Sequence, residues 1–108
     1  MEIDRQDKDN AVVLNLQGEL DYNSAKEFSL LLQELIEKKT QRIVIALKGL
    51  AHIDSMGLGA ITKMWKTADT LGFSIVLAEV PHNILNLIKL VNLDRRIMIF
   101  ETLAEALA

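Results

Sequence analysis

His52-Ile53-Asp54-Ser55-Met56-Gly57-Leu58-Gly59 places an Asp-Ser pair where an apolar strand and its loop give way to a helix. Asp and Ser are both favoured helix N-caps, because their oxygens accept hydrogen bonds from the unpaired N–H groups of the first turn. A plain cap accounts for the pair. It leaves Gly57 and Gly59 unaccounted for, since they fall in the opening turns of the helix and each costs ~1 kcal/mol relative to Ala. Glycines there would let a second backbone come close.

Outward from this stretch, strands and helices alternate. Ile43-Val44-Ile45-Ala46-Leu47 is a continuous apolar run of the kind that suits a strand covered on both faces. The helix opened by Asp54-Ser55 carries Leu58, Ile61, Trp65 and Ala68 along one face, leaves Lys63, Lys66 and Asp69 to solvent, and ends near Gly72. Residues 73–78 form another buried strand. Pro81 suits the first turn of the next helix, where its missing N–H would have been unpaired anyway. Ile84, Leu85, Leu87, Ile88 and Val91 give that helix a broad apolar face, and Asn92 in a left-handed conformation closes it.

Towards the N-terminus, Ser24-Ala25-Lys26-Glu27 fits a capping box ahead of Phe28, Leu31, Leu32, Leu35 and Ile36, which recur with helical period and stop near residues 38–41. Residues 11–17 read as a strand ending at Gly18, paired across the Asp9-Asn10 turn with the polar residues 2–7. At the far end a short strand over 97–100 precedes a helix over 102–108, with Thr102 and Glu105 as a second capping box. The order β-β-α-β-α-β-α-β-α predicts an α/β fold, a mixed sheet of about five strands with helical cover. The crevice beyond the carboxyl ends of the strands is the expected place for chemistry, where Asp21 and Asp54-Ser55 could meet.

The chain has 108 residues, half of them hydrophobic, which predicts one domain over 1–108 with a single modest, largely aliphatic core. A formal net charge of −3 and a pI near 5.3 give no basic footprint for a nucleic-acid backbone. With no cysteine there is no disulfide, thiolate metal site or thiol nucleophile. The opening residues alternate in polarity and no apolar run reaches membrane-spanning length, so a cytoplasmic protein without direct membrane insertion is expected. His52-x-Asp54-Ser55 supplies hydrolase residue types, but a triad is defined by spatial geometry that adjacency does not establish, and there is no nucleophile elbow. Gly57-Leu58-Gly59 lacks the Gly-Lys-Ser/Thr ending of a phosphate loop. Trp65, Met64 and Phe28 read as core, His82 as solvated, and Leu87, Leu90 and Leu93 as more apolar surface than one helix face needs.

These residues together resemble the bacterial anti-sigma factor antagonists built on the STAS domain. The resemblance covers nearly the whole chain. It rests on Gly18-Glu19-Leu20-Asp21, the 43–47 strand, Asp54-Ser55-x-Gly57-Leu58-Gly59, the strand entry at 72–77, and the Pro81 helix closed before Leu93. It implies that Ser55 is the switch residue, phosphorylated by an anti-sigma factor with serine kinase activity using ATP and magnesium and restored by a metal-dependent serine phosphatase. Unphosphorylated protein would bind the anti-sigma factor and free the sigma factor. Asp21 takes the family's acidic position near the serine. The implied partner surface is Asp21, Asp54, Ser55, Met56, Gly57, Leu58 and Gly59, with no enzyme activity, cofactor or metal site of its own.

Physical chemistry fits that scheme. A phosphoserine carries about −1.5 to −2 charges, which a helix N-terminus can accept through free N–H groups and its dipole. Two unit charges ~4 Å apart interact by ~4 kcal/mol at an effective dielectric of 20, roughly a thousandfold in affinity. The chain departs from the family at Ala46, where Asp or Asn is common, and this removes a polar neighbour of the serine. It departs again at Met56, where Ser or Thr is common, at His52, and at Val80 in place of a polar cap before Pro81. The alternative function is a STAS subunit of another assembly, a stressosome-type scaffold or lipid-transport complex acting by partner docking.

Overall fold

The computed structural model describes residues 1–108. Strands β1 (Glu2–Asp7), β2 (Ala11–Leu20), β3 (Arg42–Ile53), β4 (Ser74–Ala78) and β5 (Ile99–Phe100) form one sheet in the order β1-β2-β3-β4-β5. The β1–β2 hairpin is antiparallel and every other pair is parallel. Because strand order follows chain order, crossovers of one hand deliver every connecting helix to the same face. Helices α1 (Tyr22–Glu37), α2 (Ser55–Leu71) and α3 (His82–Leu90) and a 3-10 turn, Leu93–Arg95, accordingly share one core of 25 buried residues, with Phe28, Leu32, Ile45, Ile61, Leu77 and Ile84 among them. The opposite face carries the smaller Val13, Val44, Ala46, Val76 and Ala78, closed by Ala106 of α4 (Leu103–Leu107). The fold class, the element order and the aliphatic core agree with the sequence; the 3-10 turn is additional.

Several boundaries move, each for a physical reason. β2 does not end at Gly18, and no loop follows residue 47 in β3; the two strands stay paired as far as Leu20 and Ile53. Register shifts between Asn15 and Gln17 and between Gly18 and Glu19 break the two-residue alternation. Leu47, Leu50 and Ile53 are therefore buried at a spacing of three, a pattern that does not resemble a strand. Gly18 takes a φ of +101° there, which glycine adopts without strain. α1 starts at Tyr22 with Asp21 as its cap, so Ser24 lies inside the first turn. Pro81 is the residue before α3, with φ −60° and ψ 151°, so the cap is Pro81 and not Val80. Asn92 is left-handed as expected, at φ 60°, but it opens the 3-10 turn after α3 has closed at Val91. β5 shrinks to two residues because Ile97 turns into the core and Met98 to solvent.

The parallel run of β2 and β3 to a common end governs the start of α2. A Cβ at Gly57 would run into the Leu20 carbonyl oxygen and stand 2.8 Å from Ile53 Cγ1, so only glycine lets this turn sit on the strand ends. Gly59 is different, with no atom within 4 Å of where its Cβ would be. Gly57→Ala is expected to destabilise by about 3 kcal/mol, the upper part of the overpacking range, because the obstacle is backbone. Gly59→Ala should instead stabilise by up to ~1 kcal/mol, the helix-propensity gain. Urea denaturation of the two variants checks both signs.

Candidate functional site

At the carboxyl ends of β2 and β3 two helices begin side by side, and one carboxylate joins them. Asp54 is the N-cap of α2, its Oδ1 accepting from the Gly57 N–H at 2.9 Å. Its Oδ2 accepts from the Tyr22 N–H of α1 at 3.1 Å, and its own N–H donates to the Leu20 carbonyl at 3.2 Å. The Gly57 N–H is the largest influence holding the Asp54 carboxyl below the usual carboxylate range. Partial desolvation opposes it; the Tyr22 and Met56 N–H groups and nearby His52 add to it.

Asp21 caps α1, accepting from the Asn23 and Ser24 N–H groups at 3.0 and 3.2 Å. Ser24, expected to be the cap, supplies the reciprocal bond: its Oγ accepts from the Asp21 N–H at 3.0 Å and donates to the Glu19 carbonyl at 3.0 Å. Asp21 and Asp54 thus meet at neighbouring helix starts, as anticipated, but on an open surface. Strand order never reverses within the parallel part of the sheet, so there is no switch point to splay the loops into a crevice.

Ser55 is the first residue inside α2 and is exposed. Because Asp54 does the capping, a cap role does not explain the Ser55 side chain. Met56, half exposed, and Gly59 lie at the surface beside it. Gly57 and Leu58, expected on the same surface, are buried: the glycine is pressed against Leu20 and Ile53, and Leu58 turns into the main core. Ala46 is not a neighbour of the serine. It lies on the α4 face with Val13, Val44 and Ala78, seven residues before the end of β3, or ~23 Å along the strand. Phe28 and Met64 are core, Trp65 packs partly buried against it, and His82 is exposed.

Sequence reasoning missed the exposed Tyr22, which flanks Ser55 across the α1–α2 groove together with Lys26 and Lys63. The four-residue step from Tyr22 to Lys26 on a helix capped at Asp21 is the signal that would have found them. No three His, Asp or Glu side chains converge on a point that could hold a metal, and no helix is long and apolar enough to cross a membrane.

Since the folded Asp54 carboxyl titrates below its unfolded value, its contribution to stability is complete above the unfolded pKa of ~3.9 and is lost as pH falls through the lower folded value. Asp54→Ala should therefore melt below the wild type at pH 7, and the gap should narrow as pH drops below about 4. Thermal melts of both proteins between neutral and acid pH measure this.

A STAS domain family model matches residues 2–106. Over 108 residues the chain is 25% identical to the anti-sigma F factor antagonist of Paenibacillus polymyxa, covering 99% of this chain and 92% of that protein. It superposes with a TM-score of 0.92 on the crystal structure of a candidate anti-sigma factor antagonist from Thermotoga maritima, at 27% identity, over 97% of this chain and 91% of the other. The Bacillus cell fate determinant SpoIIAA, solved in its phosphorylated form, gives a TM-score of 0.78 at 18% identity over 98% and 96% of the two chains, a likeness in fold alone. This chain belongs to the STAS domain family and is similar over nearly its whole length to anti-sigma factor antagonists.

Proposed function

We propose that this chain is a non-enzymatic, cytoplasmic antagonist of an anti-sigma factor with serine kinase activity, bound when Ser55 is free and released when Ser55 is phosphorylated. A metal-dependent serine phosphatase resets it. The observation that carries this is the exposure of Ser55 at a helix start whose capping is already done by Asp54. A hydroxyl left without a cap role at the positive end of a helix is free to be modified.

The same geometry refines the electrostatics. The Gly57 N–H is committed to Asp54, so a phosphate on Ser55 would be displayed outwards beside a carboxylate rather than absorbed by that donor. The fold is left intact and the charge faces the docking protein. Tyr22, Met56 and Gly59 supply the uncharged contact around it, and Gly59 has no packing role inside the chain that would explain it. Asp21, Asp54, Gly57 and Leu58 act from beneath by holding the two helix starts in place.

Incubation with the kinase-type anti-sigma factor, ATP and magnesium should add one phosphate, mapped by mass spectrometry to Ser55; modification elsewhere, or none, would refute the switch. In calorimetry Ser55→Ala should bind the anti-sigma factor like the wild type, and Ser55→Asp about a hundredfold to a thousandfold more weakly. Gly59→Ala should bind more weakly in spite of its higher stability.

A further inference from the structure

We propose that the groove between α2 and the 3-10 turn Leu93–Arg95 docks an acidic helix of the partner, its carboxylates spaced over apolar anchors; this rests on the function proposed above for Ser55. Two grooves meet at Ser55, Gly59 and Lys63, and their linings carry Lys26, Lys63, Lys66 and Arg96 without a single carboxylate. That is a local reversal of sign in a chain where 15 acidic residues outnumber 12 basic ones. The ion pairs within the chain, Arg5 with Asp7 and Lys38 with Glu34, use none of these four cations. Asp69 and Asp94 are exposed outside the lining, and neither forms an ion pair with these cations.

The groove also has an apolar component. Leu58 and Leu93 form its buried floor and Val91, 55% exposed, its rim. Next to Val91, Leu90 is 77% exposed, while α3 itself buries only Ile84 and Ile88. Ser55 and Lys66 are eleven residues apart on α2, ~16 Å or three turns, a length matched by a helix of equal extent lying alongside. Carboxylates would meet Lys63, Lys66 and Arg96 while apolar side chains cover Val91 and the floor. A free phosphate or an anionic lipid headgroup would satisfy the cations but leave the recessed apolar floor unused, and a single nucleotide would not run alongside three turns of α2. Ser55 stands at the mouth of the groove, so a phosphate there repels an acidic occupant directly.

The test titrates the isotope-labelled full chain with a synthetic amphipathic Glu/Leu helix and, separately, with its Lys/Leu counterpart. The acidic helix should shift backbone amides of residues 62–66 and 91–96, more weakly as salt rises, and leave Lys38 and Lys39 unmoved. Lys66→Glu combined with Arg96→Glu should weaken the interaction by about tenfold or more, and the Gln pair by less. Both side chains are exposed, and an unchanged melting temperature verifies the fold. The proposal is overturned if the acidic helix shifts nothing in the groove, if the basic helix or the Lys38-Lys39 surface responds equally, or if ATP or phosphatidylglycerol vesicles engage these residues more tightly than the peptide does. Groove binding without phosphorylation of Ser55 would remove the switch and keep the docking site. Phosphorylation of Ser55 with an anti-sigma factor indifferent to the charge reversal would remove the docking site and keep the switch.

Discussion

One carboxylate, shared between the Tyr22 and Gly57 N–H groups, ties the first turns of two helices that lie far apart in the chain. The arrangement depends on β2 and β3 ending level, with Leu20 opposite Ile53, and on Gly57 being small enough for α2 to rest on those ends. The tie and the strand ends give a rigid platform on which Ser55 is a fixed point. On the function proposed for Ser55, a phosphate placed this way would need no moving part: charge would change and shape would not.

The two glycines of the motif divide between fold and surface. Gly57 is demanded from within by the Leu20 carbonyl, and its glycine identity needs no appeal to a partner. Gly59 meets nothing inside the molecule, and its helix-propensity cost goes unrecovered there. Such an unrecovered cost is informative because natural sequences tend to be locally consistent except where function intervenes.

Much of the fold was legible because the apolar runs at 43–47 and 73–78 and the periodic faces of α1, α2 and α3 are unambiguous signals. The strand extensions were not, because the register shifts replace alternation with a spacing of three across Leu47, Leu50 and Ile53. The start of α1 was misplaced because two capping patterns overlap: Asp21 caps, and Ser24 answers it from three residues on. The facing of Ala46 was available from parity, since Ile43, Ile45 and Leu47 point to α1, α2 and α3 and Val44 and Ala46 to the opposite face. At the site, Asp54 and Ser55 could be placed at a helix start from residue chemistry alone, whereas Asp21 could be placed only beyond the end of a strand, because Ser24 drew the cap. The cationic linings could not, because they form only where α1, α2 and the 3-10 turn converge.

The borders of the sheet bear on a protein for which contacts through helices are proposed. β1 is a polar outer strand in which every residue but Ile3 is exposed, and β5 offers only two residues for pairing. Neither is a long, flat, sticky template for a neighbouring molecule's strand. Parallel strands are slow to assemble and vulnerable while they do, so blunt flanks matter most during folding. A chain guarded in this way can be held at working concentration and still offer its helical face freely, with little tendency to polymerise edge to edge.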